Sequence, residues 1–152
     1  MDAFDMAMQN TERLLDKLLQ SEKIAISSVS LNFSQGVYAF FEGDKPVYIG
    51  RINNLKNRLA QHRRRSSTHD QASFAFRIAC EETKKLGLEF NSSNRKELAL
   101  HKDFSSYFYS AKERVAAMRV CAIEINDPVE QAIFEIYAAV KLRTEYNTFQ
   151  TH

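Results

Sequence analysis

Long apolar runs are missing from this chain, and cysteine is scarce. No apolar stretch approaches the roughly 18 residues that a membrane-spanning helix needs, so no membrane span is expected. The chain has 152 residues and two cysteines, Cys80 and Cys121, far apart in apolar surroundings. They read as buried free thiols rather than a disulfide or a metal pair, which favours a reducing compartment. The first residues, Met1-Asp2-Ala3-Phe4-Asp5, lack the basic and apolar segments of a secretory signal, and the expected localisation is cytoplasmic. His69, His101 and His152 have no partners at metal-ligand spacing and read as surface residues. There is no internal repeat and no low-complexity tract. Net charge is also nearly absent, at +2, too little to argue for a polyanionic partner.

The distribution of charge says more than its sum. Between Arg51 and Arg65 stand Arg51, Lys56, Arg58, Arg63, Arg64 and Arg65, with no acid among them. That is a local basic field suited to a phosphate backbone. With 44% apolar residues, 11 Phe and 6 Tyr, the chain can bury a core and reads as a single domain.

Leu14, Leu15, Leu18 and Leu19 recur at helical spacing and predict an amphipathic helix over 11–22, capped by Asn10 or Thr11. Residues 24–33 alternate loosely and either pair as a strand or lead into the core. Val37 to Phe41 reads as a strand, Glu42-Gly43-Asp44-Lys45-Pro46 as a turn, and Val47-Tyr48-Ile49 as the second arm of a hairpin. A helix from Asn53 or Asn54 to about Arg65 follows, then one over 71–86 ending near Gly87. The segment 95–110 is ambiguous, with Phe104, Tyr107 and Phe108 suggesting a partly buried helix. Residues 118–125 alternate as a third strand, and Asp127-Pro128 opens a last helix to about Arg143. The pattern predicts an α/β fold, a small three-stranded mixed sheet flanked by helices. In it 1–33 forms an N-terminal helix and lead-in, 34–65 with 115–152 the core, and 66–114 a helical insertion.

Two short signatures stand on the hairpin: Gly36-Val37-Tyr38, then Tyr48-Ile49-Gly50, ten residues on from Tyr to Tyr. Arg58 lies ten residues further, His62 follows, and near the C-terminus Glu135 precedes Tyr146-Asn147. Together these residues resemble the core of the GIY-YIG nuclease superfamily, over about 36–62 and 118–147. The last of them resemble the metal-binding Glu and terminal Asn of the nuclease domain in the bacterial excision-repair incision subunit. Two departures stand out: Val37 replaces the middle Ile of the first tripeptide, and Thr144 stands where that relative usually carries Pro.

The resemblance implies a metal-dependent endonuclease that hydrolyses phosphodiesters in DNA, structure-directed or weakly sequence-specific. It implies Glu135 as the metal ligand, with Mg²⁺ or Mn²⁺. A lone carboxylate with waters and a substrate phosphate suits such an ion. Arg58 would contact the scissile phosphate, and Tyr38 and Tyr48 would aim phenols at it. The general base is either Tyr38 or His62, whose unperturbed pKa near 6.5 suits neutral pH better than a phenol near 10. Arg51, Lys56, Arg63, Arg64, Arg65 and Asn147 would bind or order the nucleic acid, Arg51 at the phosphate and Asn147 at the sheet edge. The residues leave DNA versus RNA open. Cutting both strands would need a homodimer, two encounters or a partner protein, and the insertion is the natural place for substrate choice. Two other readings stay open: a non-catalytic nucleic-acid-binding module on the same fold, and an adaptor that uses the Leu14–Leu19 face.

Overall fold

The computed structural model describes residues 1–28, 33, 35–52, 72–90 and 94–149. They fall into two compact units, Met1–Lys56 with Met118–His152, and Asn57–Ala117.

In the first unit, helix α1 spans Ala3–Gln20. It starts eight residues before the expected cap, because the Asp2 carboxylate accepts a hydrogen bond from the Asp5 N–H at 2.8 Å. Thr11, read as a cap, lies inside the helix with its hydroxyl donating to the Met8 carbonyl at 2.8 Å. Strand β1, Ile24–Ala25, comes next. Strands β2, Gly36–Glu42, and β3, Lys45–Ile52, then form the hairpin. Their connection is tighter than the expected turn: Glu42 pairs directly with Lys45, and Gly43 takes a left-handed φ of +62°. After the second unit come strand β4, Arg119–Glu124, and a long C-terminal helix, Pro128–Leu142. Its start follows the sequence signal, with Pro in the first turn and the Asp127 side chain accepting from the Val129 N–H.

Among the described residues the sheet has four strands in the order β1-β4-β2-β3, all antiparallel. This corrects the expected three-stranded mixed sheet. The added strand, within the stretch 24–33 that read as either a strand or a lead-in, is only two residues long. Strand direction, in turn, depends on how the chain returns and not on any local pattern. One face of the sheet carries Val37, Ala39, Phe41, Ile49, Cys121 and Ile123, which form the core with Leu14 and Leu18 of α1 and Phe134, Ala138 and Ala139 of the C-terminal helix. Of the Leu14–Leu19 face, Leu14 and Leu18 are buried there while Leu19 stays exposed.

The second unit holds α2, Ser73–Lys85, α3, Arg95–Leu100, and α4, Lys102–Ala116. The C-terminal helix is therefore α5. Helix α2 ends on Gly87, whose φ of +73° lets the Leu88 N–H reach back to the Thr83 carbonyl at 3.0 Å. The ambiguous segment resolves into two helices broken at His101. Its extended backbone closes α3, and its Nδ1 accepts from the Asp103 N–H to cap α4. Phe76 packs on Phe104 and Phe108 with ring centroids 5.3 and 5.6 Å apart. Arg114 of α4 pairs with Glu82 of α2 at 3.0 Å. Cys80 is half-buried and Cys121 buried, both free, and burial pushes both thiols above their ordinary pKa. Among the described residues, no helix is long and apolar enough to cross a membrane.

Candidate functional site

The hairpin register sets Tyr38 opposite Gly50 and Phe40 opposite Tyr48. Side chains alternate along a strand, so these four residues share one face. The three rings gather there: Tyr38 meets Phe40 edge-on at 5.0 Å, Tyr48 stacks on Phe40 at 6.2 Å, and the two phenol rings lie 6.3 Å apart. Tyr38 is only 2% exposed, while Tyr48 is half-buried.

Both signature glycines have a steric reason. A Cβ on Gly50 would collide with Cζ and Oη of Tyr38 and stand 2.8 Å from its Cε1. The phenol therefore lies across Gly50, over the edge strand of the sheet. A Cβ on Gly36 would collide with the Ile123 carbonyl oxygen, so β2 and β4 approach too closely there for any side chain.

The next residue along β3 points the other way. Arg51 pairs with Val37 in the register, on the face that α5 covers. There its Nε lies 3.6 Å from Glu135 Oε2, the two side chains being 42% and 27% exposed. An ion pair this open contributes at most about 1 kcal/mol, so water and ions compete for it easily. Tyr38 and Tyr48 thus sit on one side of the edge strand, and Arg51 and Glu135 on the other. The two pairs flank the stretch Tyr48–Arg51 from opposite faces.

The C-terminal segment closes part of that edge. The Tyr146 N–H donates to the Val47 carbonyl at 3.2 Å. The Asn147 side chain then imitates a neighbouring strand. Its Oδ1 accepts from the Ile49 N–H at 2.8 Å, and its Nδ2 donates to the Ile49 carbonyl at 2.9 Å. Thr144 holds the amide in place, its hydroxyl donating to Asn147 Oδ1 at 2.7 Å. This is the residue that stood out in the sequence as a departure from Pro. Arg143, in the left-handed region at φ 53°, turns the chain out of α5 to make the arrangement. A hydroxyl residue three positions before an Asn at a helix exit is the signal that sequence reasoning passed over.

Asn147→Ala is expected to cost about 2–3 kcal/mol, because it leaves the Ile49 N–H and C=O without their partner. Thr144→Val should cost about 1 kcal/mol, and the double variant less than the sum, since both act through one amide. Urea unfolding measures all three. A stability within about 0.5 kcal/mol of wild type for Asn147→Ala would refute the clamp.

Lys56, Arg58, His62, Arg63, Arg64 and Arg65, with the helix read over them, lie outside the described residues. Among the described residues, no three His, Cys, Asp or Glu side chains converge on a common point. A multi-carboxylate or zinc-type cage is therefore not present among them. Beside β3 they offer a partly exposed hard carboxylate, Glu135, which fits an ion that keeps most of its water.

No protein-family model matches the chain, and no curated protein matches it. Solved structures do. The chain is similar to the GIY-YIG N-terminal endonuclease domain of UvrC from Thermotoga maritima, in point-mutant forms bound to a catalytic divalent cation. One match has 21% identity and a TM-score of 0.40, over 90% of this chain and 97% of that one. A second has 19% identity and a TM-score of 0.40, over 90% and 98%. At that level the likeness carries no argument, and only this chain's own residues speak to its chemistry.

Proposed function

We propose that this chain is a metal-dependent endonuclease whose site is built around the edge strand β3. The observation that carries the proposal is that four such groups flank one short stretch of the edge strand, two on each face. The Tyr38 phenol lies across Gly50 beside Tyr48. The adjoining Arg51 reaches Glu135. Cations, phenols and one open carboxylate are what phosphodiester hydrolysis asks for: neutralised phosphate oxygens, a positioned nucleophile and a stabilised leaving oxygen.

In this reading the substrate backbone runs along the edge beyond Asn147. Arg51 releases Glu135 and binds a phosphate, an exchange that costs little because the pair is exposed. The guanidinium of Arg58 takes the scissile phosphate, where two parallel N–H donors match two phosphate oxygens. Tyr38 and Tyr48 hold phosphate oxygens from the other side, and Tyr38 or His62 accepts the proton of the attacking water. Glu135 holds the cation, Mg²⁺ or Mn²⁺, and when bound this ion supplies charge neutralisation for the leaving oxygen. Asn147 orders the edge and Lys56, Arg63, Arg64 and Arg65 bind the flanking backbone. The expected substrate is DNA, chosen by structure or weakly by sequence, and 66–114 is where that choice is made.

The test is cleavage of labelled single-stranded, duplex, flapped and branched DNA, with Mg²⁺ or Mn²⁺ and after chelation. Cutting is expected with metal, to vanish with chelator, and to fall at least about 100-fold in Arg58→Ala. If wild type binds these substrates but leaves all of them intact, the chain is a binding module.

A further inference from the structure

Helix α5 is apolar on two opposite sides. Its inner side, with Phe134, Ala138 and Ala139, belongs to the core. Its outer side carries Val129, Ile136 and Val140 at 47%, 51% and 60% exposure, with Ile133 half-buried beside them. A helix that is apolar all round is normally enclosed, and a solvent-facing row of β-branched side chains calls for a partner. The spacing of the row is informative. Residues 129, 133, 136 and 140 follow steps of four, three and four, the a/d seam of a helix pair.

We propose that this seam is an interface for a second copy of the chain, with α5 packed antiparallel against α5 of the copy about a two-fold axis. The row is its own complement when reversed: Val129 falls opposite Val140 and Ile133 opposite Ile136, so each contact is made twice, as an isologous interface requires. The charges select the same arrangement. Asp127 and Glu130 make the N-terminal end of α5 acidic, and Lys141 and Arg143 make its C-terminal end basic. Antiparallel packing lays each acidic end along a basic end and opposes the two helix dipoles. Parallel packing would set like charges side by side. Glu135, near the middle of the helix, is engaged with Arg51 and stays off the seam.

The pairing is small. Fifteen residues give a helix about 22 Å long, which puts the interface at the low end of specific complexes. The experiment is sedimentation equilibrium of the whole 152-residue chain from about 1 to 500 µM, the range in which so small an interface would assemble. The mass is expected to rise from 17.5 kDa towards twice that. Ile136→Glu should weaken association at least about tenfold while leaving the thermal melt unchanged, because the residue is exposed. If that variant does not fold, Val140→Ser gives the same reading at a more exposed position. Lys141→Glu should also weaken the dimer, and adding Glu130→Lys should restore it. A wild type that stays monomeric throughout, or a dimer indifferent to the seam substitutions, overturns the interface. A charge reversal that fails to restore association overturns the antiparallel register.

Discussion

Glu135→Gln is expected to lower metal-dependent cleavage by at least about 100-fold while shifting the melting temperature by no more than about 4 °C. The two halves of this expectation come from the same contact. Gln keeps the size and shape of the side chain and removes its charge, so the packing of α5 is preserved. The ion pair with Arg51 at 3.6 Å, lost from the fold, is partly exposed and worth at most about 1 kcal/mol. What is lost in the reaction is the carboxylate proposed to hold the cation, and among the described residues no cluster of three metal-binding side chains stands in for it. A titration of Mn²⁺ followed by its paramagnetic signal should show the same loss of affinity without any substrate. Were Glu135 only Arg51's surface partner, Glu135→Gln and Arg51→Ala would be equally mild and cleavage by the Gln variant would match wild type. That outcome would remove Glu135 from the mechanism.

Gly50→Ala is expected to destabilise the first unit by about 1–3 kcal/mol, although Ala is ordinarily the better strand residue of the two. The reason is steric and local. The added methyl has no room under the Tyr38 ring, which already touches Phe40 and Tyr48 and cannot lift away without disturbing both. Tyr38→Phe should bring no relief, because ring carbons Cζ and Cε1 stand in the way as well as the hydroxyl. Tyr38→Ala should relieve it. The double variant Gly50→Ala/Tyr38→Ala is then expected to be more stable than the sum of its single changes predicts, by about 1–3 kcal/mol. Thermal or urea unfolding of the four proteins gives this coupling directly. Additive effects in the Ala pair would mean that the ring does not lie on Gly50, and the stated reason for the second tripeptide's glycine would fail.

The elements near the site were legible because their signals are local. Alternating apolar residues with a glycine turn between them dictate a hairpin, and once its register is set, a ten-residue spacing brings Tyr38 and Tyr48 to one face. Pro128 after Asp127 marks a helix start wherever it stands. Helix α1 was misjudged at its beginning because Phe4, Met6 and Met8 lie exposed and break the apolar period. Residues 24–33 left pairing or a lead-in open, because a strand of only two residues cannot show a period.

The sequence by itself determined the hairpin, the two tripeptides, the basic run after Arg51 and the helix that carries Glu135. These depend on backbone preferences and spacings within a dozen or so residues. Only the tertiary structure decided that β4 lies antiparallel beside β2, that Arg51 turns to Glu135, and that Asn147 closes the edge at Ile49 from 98 residues away. Contacts of that kind arise when a packed core brings distant segments together, and no local propensity records which partner a side chain will meet.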